Sequence, residues 1–292
     1  MISIIISSAD AGMLAQVSEN VASTINVPYE IIARDNSKGQ MGLCELYNTL
    51  AATARYDILC FMHEDIIINT ANWGKVLVEN FINHPEIGLL GVVGGSYKPL
   101  APSTWGGLGI SNDYANIIQT FKYKKKAPLV CYRNPHNVRL QRVACIDGLF
   151  MCTTKKIFSQ YKFDEKTFKG FHVYDIDYAI TVGQQYKVAV TFDIQINHLS
   201  EGGYNTAWML DNLKFQEKWN NILPLNIEGF TRQQQIHIEK VSFKHFVGNL
   251  LELNMPISYA FKVLWKDGYL QKFPSLFFKL HYYVLKLKIK AL

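Results

Sequence analysis

Short apolar runs and helical stripes alternate along the first part of the chain. Ile2–Ser8 is a short run rich in β-branched residues, and residues 12–25 carry apolar side chains at helical spacing. Residues 29–33 and 42–54 repeat these two patterns, and residues 57–65 begin with a third apolar run. This order of strand, helix, strand, helix and strand predicts a parallel sheet with right-handed crossovers and with helices on both faces.

The later pattern predicts more α/β structure followed by a helical tail. Residues 96–142 are rich in glycine, proline and lysine and are predicted to form a long loop. Further helices are predicted at 73–82 and 171–184, and further strands at 87–95, 143–153, 187–192 and 194–199. We therefore expect an α/β domain over residues 1–205 and a helical extension over residues 206–292.

The third apolar run ends at three ionisable residues, His63, Glu64 and Asp65. The consecutive apolar residues before them predict a strand that is buried on both faces. If the chain stays extended, His63 and Asp65 point to one side and Glu64 points to the other. Open α/β sheets bind ligands at the carboxyl ends of such strands, although a solvated turn after a core strand gives the same residues.

Composition adds few constraints. The net charge of +6 is mild and requires no nucleic acid partner, and it suits an anionic small molecule or an anionic membrane surface. The 5 cysteines form no CxxC pair, which predicts reduced thiols in a cytosolic protein. We find no signal-peptide pattern and no long apolar span. GxGxxG and GK[ST] are also missing, so a nucleotide site would have to be built from strand ends.

Several features in a fixed order carry a resemblance to a known family. They are the turn Arg34-Asp35-Asn36-Ser37, a helix with Gly42 and Asn48, the triplet His63-Glu64-Asp65, the pair Asp147-Gly148, the segment Tyr174-Asp175-Ile176-Asp177 and a late His198. In this order the chain resembles the family 2 glycosyltransferases with the GT-A fold, a Rossmann-like, mostly parallel sheet. Within them it resembles the streptomycin-biosynthesis-like subgroup, over about residues 1–205. It differs from them in having His63 at the first position of the DxD-like triplet, and Tyr174 where the family usually has Glu.

The resemblance implies an inverting glycosyltransferase of polysaccharide biosynthesis. Such an enzyme moves a sugar from a nucleotide-diphosphate sugar to a glycan or lipid-linked acceptor. A bound Mn²⁺ or Mg²⁺ would stabilise the charge on the departing diphosphate. Asp65 is the expected direct ligand, and His198 and His63 are the expected nitrogen ligands. His198 has the alternative of a core histidine bonded to backbone.

The resemblance also implies where the donor, the base and the acceptor lie. Asp175 is the expected general base, with a helix N-cap as the alternative role for it or for Asp177. We place Asp147, Asp177 and Trp105 on the acceptor side. Asp35 is expected at the nucleobase, although it also suits a turn. The full set expected at the donor nucleotide is Ser7, Ser8, Asp35, Asn36, Asn48, His63 and Glu64.

Two other functions are compatible with these residues. A metal-dependent hydrolase would use His63, Glu64, Asp65 and His198, although no compact HExxH ligand set occurs. A non-catalytic nucleotide-sugar-binding module would keep the fold without the metal, which the His63 difference suggests. Transfer needs an acceptor whereas hydrolysis does not, so a sugar-nucleotide consumption assay separates a glycosyltransferase from a hydrolase.

The tail at residues 273–292 combines lysines with an apolar face. On a helical projection Lys279, Lys286 and Lys290 fall within a ~40° arc. The apolar face beside them is formed by Leu276, Phe277, Leu280, Val284, Leu287 and Ala291. This pattern suits a helix in a membrane interface, and it equally suits a terminal helix docked on the protein. The first interpretation predicts a cytoplasmic protein held peripherally at the inner face of the membrane.

Overall fold

The computed structural model describes residues 1–106, 112–122, 124–200 and 202–290. Two compact units are present, one formed by residues 1–94 and 113–202 and the other by residues 95–112 and 203–292. The expected division of the chain at residue 205 stays a prediction. Of the tail residues named above, Ala291 and the side chain of Lys290 lie outside the described part.

Fifteen strands are present in the described ranges. In chain order they are β1 Ile2–Ser8, β2 Tyr29–Asp35, β3 Ile58–Met62, β4 Ile66–Ile68, β5 Ile87–Gly91, β6 Val93–Gly95, β7 Tyr97–Lys98, β8 Asp113–Gln119, β9 Leu129–Arg133, β10 Leu140–Val143, β11 Cys145–Ile146, β12 Phe150–Thr154, β13 Lys187–Thr191, β14 Ile196–His198 and β15 Leu225–Asn226.

Ten helices accompany them in the same ranges. They are α1 Ala11–Thr24, α2 Leu43–Ala51, α3 Trp73–Asn83, α4 Lys155–Gln160, α5 Tyr174–Gly183, α6 Thr206–Trp219, α7 Arg232–Glu252, α8 Ser258–Lys266, α9 Tyr269–Lys272 and α10 Pro274–Lys290.

The first unit is built on a seven-stranded sheet in the order β10-β13-β5-β12-β3-β1-β2. The predicted parallel pairing holds for β1 with β2 and for β1 with β3. Strand β12 runs antiparallel between β3 and β5, so the sheet is mixed. Because antiparallel neighbours bring one strand's start to the other's end, the turn before β12 lies beside the residues that follow β3. The His63 N–H donates to the Leu149 carbonyl across this junction at 3.1 Å.

A second sheet, in the order β11-β6-β8-β14-β4, fixes the late histidine. Strand β14 pairs with β4 on one side and β8 on the other, so His198 lies opposite Ile66 and Gln119. Ile66 directly follows Asp65 along the chain. The register of β14 therefore delivers His198 to the carboxyl end of β3.

The prediction of a long loop over residues 96–142 is wrong. This stretch contains β8, β9 and β10, and β8 and β9 pair as an antiparallel hairpin. Strand β8 has the sequence DYANIIQ, and four consecutive positions of it are buried. Because both faces of the strand are covered, its polar and apolar residues do not alternate, and the sequence gives no strand signal there. Strand β9 is exposed along most of its length, so it lacks the apolar face on which a strand prediction depends.

The second unit is mostly helical around the long helix α7. The buried carboxylate of Glu239 in α7 accepts hydrogen bonds from the hydroxyls of Tyr97 and Tyr269 and from the Leu100 N–H. These bonds connect α7 to α9 and to the segment that contains β7. This network ties together parts of the unit that are distant in sequence.

Helix α10 packs one face into the second unit. Leu276, Phe277, Leu280 and Val284 are buried in contact with α7, α8 and α9. The interpretation of the tail as a docked helix is therefore correct for this face. No helix in the described ranges is long and apolar enough to cross a bilayer.

Candidate active site

Three side chains converge at the end of β3 in the first unit. Asp65 lies between two histidines: its Oδ1 is 3.7 Å from Nδ1 of His63, and its Oδ2 is 3.6 Å from Nε2 of His198. One ligand atom from each of the three lies within 4.8 Å of the other two. The expected placement of His63 and Asp65 on one side of the chain is therefore correct, and the group can hold a single metal ion.

The nitrogen of each histidine that faces away from Asp65 has its own partner. Nε2 of His63 lies 2.7 Å from the hydroxyl of Tyr174, and Nδ1 of His198 lies 3.2 Å from Oε1 of Gln119. The hydroxyl of Ser200 donates to Oδ2 of Asp65. These contacts leave the three ligand atoms facing one another.

The electrostatics of the group keep Asp65 ionised. Burial works against its charge, but hydrogen bonding, chiefly with His198, outweighs burial and holds the pKa of Asp65 well below its usual range. Burial lowers the pKa of His63, which favours a neutral imidazole. For His198 burial also opposes the charge, but Asp65 outweighs it and raises the pKa.

Asp175 lies at the start of α5 in the same unit. The residue before the helix, Val173, has φ 71°, a left-handed conformation that is rare for a β-branched residue. The Gly148 N–H donates to Oδ2 of Asp175 at 3.1 Å. Burial, followed by the nearby charge of Asp147, raises the pKa of Asp175 to about 7. The N-cap position belongs to Val173, so neither Asp175 nor Asp177 fills it.

Asp147 connects the two parts of the site electrostatically. Its carboxylate accepts from the Leu149 N–H at 2.9 Å and stabilises the turn before β12. Burial disfavours the charged form of both His63 and His198, and the negative charge of Asp147 is one of the smaller effects that oppose burial at each. The cluster and Asp175 are therefore within electrostatic reach of the same side chain.

Comparison with known proteins identifies the chain at the level of its family. The sequence profile of the glycosyltransferase-like family matches residues 3–220, well over half of the 292 residues. The chain belongs to the glycosyltransferase-like family. This confirms the expected enzyme class. No curated protein matches the sequence significantly.

Solved structures identify the fold of the chain. The crystal structure of GalNAc-T7 with UDP, GalNAc and Mn²⁺ is similar with a TM-score of 0.51 and 12% identity, over 86% of this chain and 56% of that one. The chain thus spans little more than half of that structure, and the likeness confirms the GT-A fold. Two others are S. aureus TarS 1-349 (TM-score 0.46, 10% identity, 92% and 91% coverage) and the Pyrobaculum calidifontis mannosyltransferase PcManGT with GDP-Man and Mn²⁺ (0.45, 11%, 98% and 80%).

Several residues expected at the donor lie in the first unit, where β1 and β2 end. Ser7 and Ser8 pair with Arg34 and Asp35 in the parallel register, and the Asn36 N–H donates to the Ser8 carbonyl at 2.7 Å. Asp35 is exposed and accepts from the Ser37 N–H, which lowers its pKa. Asp35 therefore closes the turn, which is the alternative role that the sequence suggested for it. Its contact with a nucleobase stays a prediction.

Three other expected donor residues use their side chains to hold the local backbone. The Asn36 amide bonds both the N–H and the carbonyl of Met41, and the Asn48 amide does the same at Phe163. One oxygen of Glu64 accepts from the N–H groups of Ala9 and Asp10 at the start of α1. These contacts shape the loops at the strand ends, and donor binding by these residues stays a prediction.

The remaining expected residues differ in burial. Asp177 is buried on the inner side of α5. Trp105 is half-buried in the second unit. Their roles on the acceptor side stay predictions. Sequence analysis did not identify Gln119 and Ser200 as site residues. Gln119 falls in the predicted loop, and no local sequence pattern places either residue beside the His63, Asp65 and His198 group.

Proposed function

We propose that the protein is an inverting, metal-assisted glycosyltransferase that moves a sugar from a nucleotide-diphosphate sugar to a hydroxyl of a glycan or lipid-linked acceptor. The observation that carries the proposal is the presence, in one unit, of a His-Asp-His group and of the half-buried carboxylate of Asp175, whose pKa is raised to about 7. We also propose that it falls in the streptomycin-biosynthesis-like subgroup, which the order of its residues resembles.

The donor atoms of His63, Asp65 and His198 fit a divalent ion. Asp65 is held as a carboxylate, and the two imidazoles turn one nitrogen each toward it. A bound divalent ion supplies positive charge that stabilises the departing nucleoside diphosphate. The presence of Mn²⁺ in the GalNAc-T7 structure supports Mn²⁺ as the first ion to test.

Asp175 is the proposed general base. As the acceptor oxygen bonds to the anomeric carbon and the bond to the diphosphate breaks, the hydroxyl proton passes to Asp175. A pKa near the working pH suits this role, because the carboxylate is available and still basic enough to take the proton. A single base that forms no covalent bond to the sugar gives attack from the opposite face, and hence inversion.

The strand ends supply the proposed donor pocket. Ser7, Ser8 and Asp35 lie at the carboxyl ends of adjacent parallel strands, where α/β sheets bind ligands. Glu64, by holding the N–H groups of Ala9 and Asp10, shapes the first of these loops. We assign this edge to the nucleotide.

A nucleotide and nucleotide-sugar panel tests the proposal. Thermal shift with and without Mn²⁺ should show stabilisation by one nucleoside diphosphate, since a ligand at a hundredfold excess over its Kd adds about 2.7 kcal/mol. Asp65→Ala should abolish the Mn²⁺-dependent part and keep the fold. Sugar release without any acceptor would assign the protein to the hydrolases. Binding indifferent to Mn²⁺, without turnover, would assign it to the non-catalytic modules.

Helix α10 supports a peripheral position on an anionic membrane, where a lipid-linked acceptor would lie. Opposite its buried face, Phe278, Tyr282, Leu285 and Ile289 are exposed and fall within a ~60° arc. The exposed Lys279 and Lys286 border this arc on one side and Lys288 on the other. No acidic residue in the sequence follows Asp267. The exposed apolar stripe of α10 is therefore flanked by uncompensated positive charge, which an anionic lipid surface attracts.

Point substitutions test the lipid surface better than deletion, because α10 also buries core side chains. The double variant Phe278→Ser, Ile289→Ser should lose co-sedimentation with phosphatidylglycerol vesicles and keep its Tm. Phosphatidylcholine vesicles are the charge control. Wild-type protein that stays in the supernatant with both vesicles contradicts the proposal. A dimer that the same double variant dissociates would assign the stripe to a second copy of the chain.

A further inference from the structure

We infer that Tyr174 and Gln119 are positioning residues that fix which nitrogen of His63 and of His198 faces Asp65. The site that results is a set of two imidazole nitrogens and one carboxylate, and it selects Mn²⁺, Co²⁺ or Zn²⁺ over Mg²⁺. This inference rests on the metal-assisted function proposed above. It assigns roles to two residues outside the ligand group itself.

The hydrogen bonds of Gln119 determine the tautomer of His198. Its Nε2 donates to the carbonyls of Thr120 at 2.7 Å and Ser200 at 2.8 Å, so its Oε1 is the atom that faces His198. An amide oxygen only accepts, and Nδ1 of His198 must therefore carry the proton that it shares with Oε1. Nε2 of His198 is therefore the nitrogen left to face Asp65, and it is the one that can give its lone pair to a metal ion there.

Tyr174 has the corresponding role at His63. Its hydroxyl lies 2.7 Å from Nε2, so the opposite nitrogen, Nδ1, is the one that faces Asp65. When Nε2–H donates to the phenol oxygen, Nδ1 carries the lone pair that a metal ion needs. Metal-binding histidines usually donate their outer N–H to an oxygen in this way, which orients the ring.

The surrounding backbone is arranged to admit this tyrosine. A Cβ atom on residue 148 would lie 2.0 Å from the Tyr174 hydroxyl, so only glycine leaves room for the contact with His63. The left-handed Val173 directs the chain into α5 immediately before Tyr174. Such a conformation is strained and persists where the surrounding structure imposes it.

The donor set determines the class of ion. Mg²⁺ prefers oxygen ligands and keeps its water, whereas imidazole nitrogen suits the later divalent transition ions. Here two of the three protein donors are nitrogen, and the anchored rings cannot turn away from the ion. The site therefore gains affinity for Mn²⁺, Co²⁺ and Zn²⁺ that it does not gain for Mg²⁺.

Metal binding without nucleotide tests the inference in the whole chain. Mn²⁺ binding is followed by loss of the free-ion electron paramagnetic resonance signal, and Co²⁺, Zn²⁺ and Mg²⁺ are compared by competition. Tyr174→Phe, which removes one oxygen atom, should weaken Mn²⁺ binding by about 10–100-fold. Tyr178→Phe is the matched control, since Tyr178 is equally buried one turn along α5 with its hydroxyl beside Thr153.

Nitrogen ligation has a direct spectroscopic readout. Electron spin echo modulation of bound Mn²⁺ should show imidazole nitrogen from two rings in the wild type, and from one in His63→Ala. Gln119→Leu should weaken binding as Tyr174→Phe does. If that variant fails to fold, the comparison of Tyr174→Phe with Tyr178→Phe still decides the role of His63.

Three results would overturn the inference. They are bound Mn²⁺ without nitrogen modulation, Mg²⁺ that competes equally with Mn²⁺, and equal Mn²⁺ affinities for the two tyrosine variants. None of these readouts involves sugar transfer. A chain that binds Mn²⁺ through two nitrogens but turns over no nucleotide sugar would keep this inference and lose the proposed function.

Discussion

Asp175 in the first unit is half-buried and Glu239 in the second is fully buried, and desolvation raises the pKa of each to about 7. Their surroundings differ. Glu239 accepts hydrogen bonds from two tyrosine hydroxyls and one backbone N–H, so both of its oxygens are already hydrogen-bonded by residues of the same unit. Asp175 is held by backbone N–H groups and has the negative Asp147 nearby. A raised pKa therefore indicates burial, and the partners decide whether a carboxylate is available for chemistry.

The largest expected effect is on catalysis at Asp175. Asp175→Asn keeps an oxygen for the Gly148 N–H but cannot take a proton, so kcat should fall by ~10²–10⁴ with donor binding near wild type. Steady-state transfer kinetics beside donor titration measure both quantities. Activity within a few-fold of wild type would move the base elsewhere, with Asp177 as the next candidate.

The same substitution should stabilise the fold. The folded-state pKa of Asp175 is raised, so the unfolded chain ionises first and the carboxylate destabilises the protein increasingly as pH rises from about 4 to about 7. Asparagine removes this cost, and the free energy of unfolding at pH 8 should increase by a few kcal/mol, on the order of the linkage value. Urea unfolding at pH 5 and pH 8 checks the sign, because the gain should be smaller at pH 5.

At Glu239 the expected effect is on stability and has the opposite sign. Glu239→Ala leaves three buried donors, from Tyr97, Tyr269 and Leu100, without an acceptor. Each unsatisfied group costs ~1–3 kcal/mol, so the loss should be about 3 kcal/mol or more. Glu239→Gln, which keeps one acceptor oxygen, should lose less. Unfolding curves in which alanine and glutamine behave alike would contradict this account.

The smallest expected effect is a shift of the pH profile by Asp147. Transfer should increase with pH through an apparent pKa of about 7, because only ionised Asp175 acts as base. The charge of Asp147 contributes to that value, so Asp147→Asn should move the rise to lower pH, by on the order of one unit. A profile of kcat/KM against pH for both proteins measures the shift. An unmoved profile would remove Asp147 from the environment of the base.

The sequence came closest where local pattern and chemistry coincide. The apolar run at residues 58–62 predicted the buried strand β3, and the alternation of side chains predicted that His63 and Asp65 share a side. Asp175 was predicted at the start of a helix, where it lies. Gln119 was not found, because β8 is covered on both faces and shows no period from which a strand can be recognised.

The pairing of strands that are distant in sequence could not be predicted from the sequence, for a different reason. Local side-chain patterns determine which segments become strands and helices, and these follow from the residues within each segment. The order and direction of strands depend on which faces pack together across the whole chain. The antiparallel insertion of β12 brings Gly148 and Tyr174 to His63, and the register of β14 brings His198 and Gln119 to Asp65.

By itself, then, the sequence determined an α/β chain with a carboxylate and an imidazole at the end of its central strand. Only the tertiary structure decided which histidine nitrogens face Asp65. It also decided that Glu239 has both of its oxygens hydrogen-bonded by residues of its own unit. The physical reason is that hydrogen-bond partners and burial are properties of the packed chain. His63, Asp175 and Glu239 each have a hydrogen-bond partner that lies more than twenty residues away in sequence.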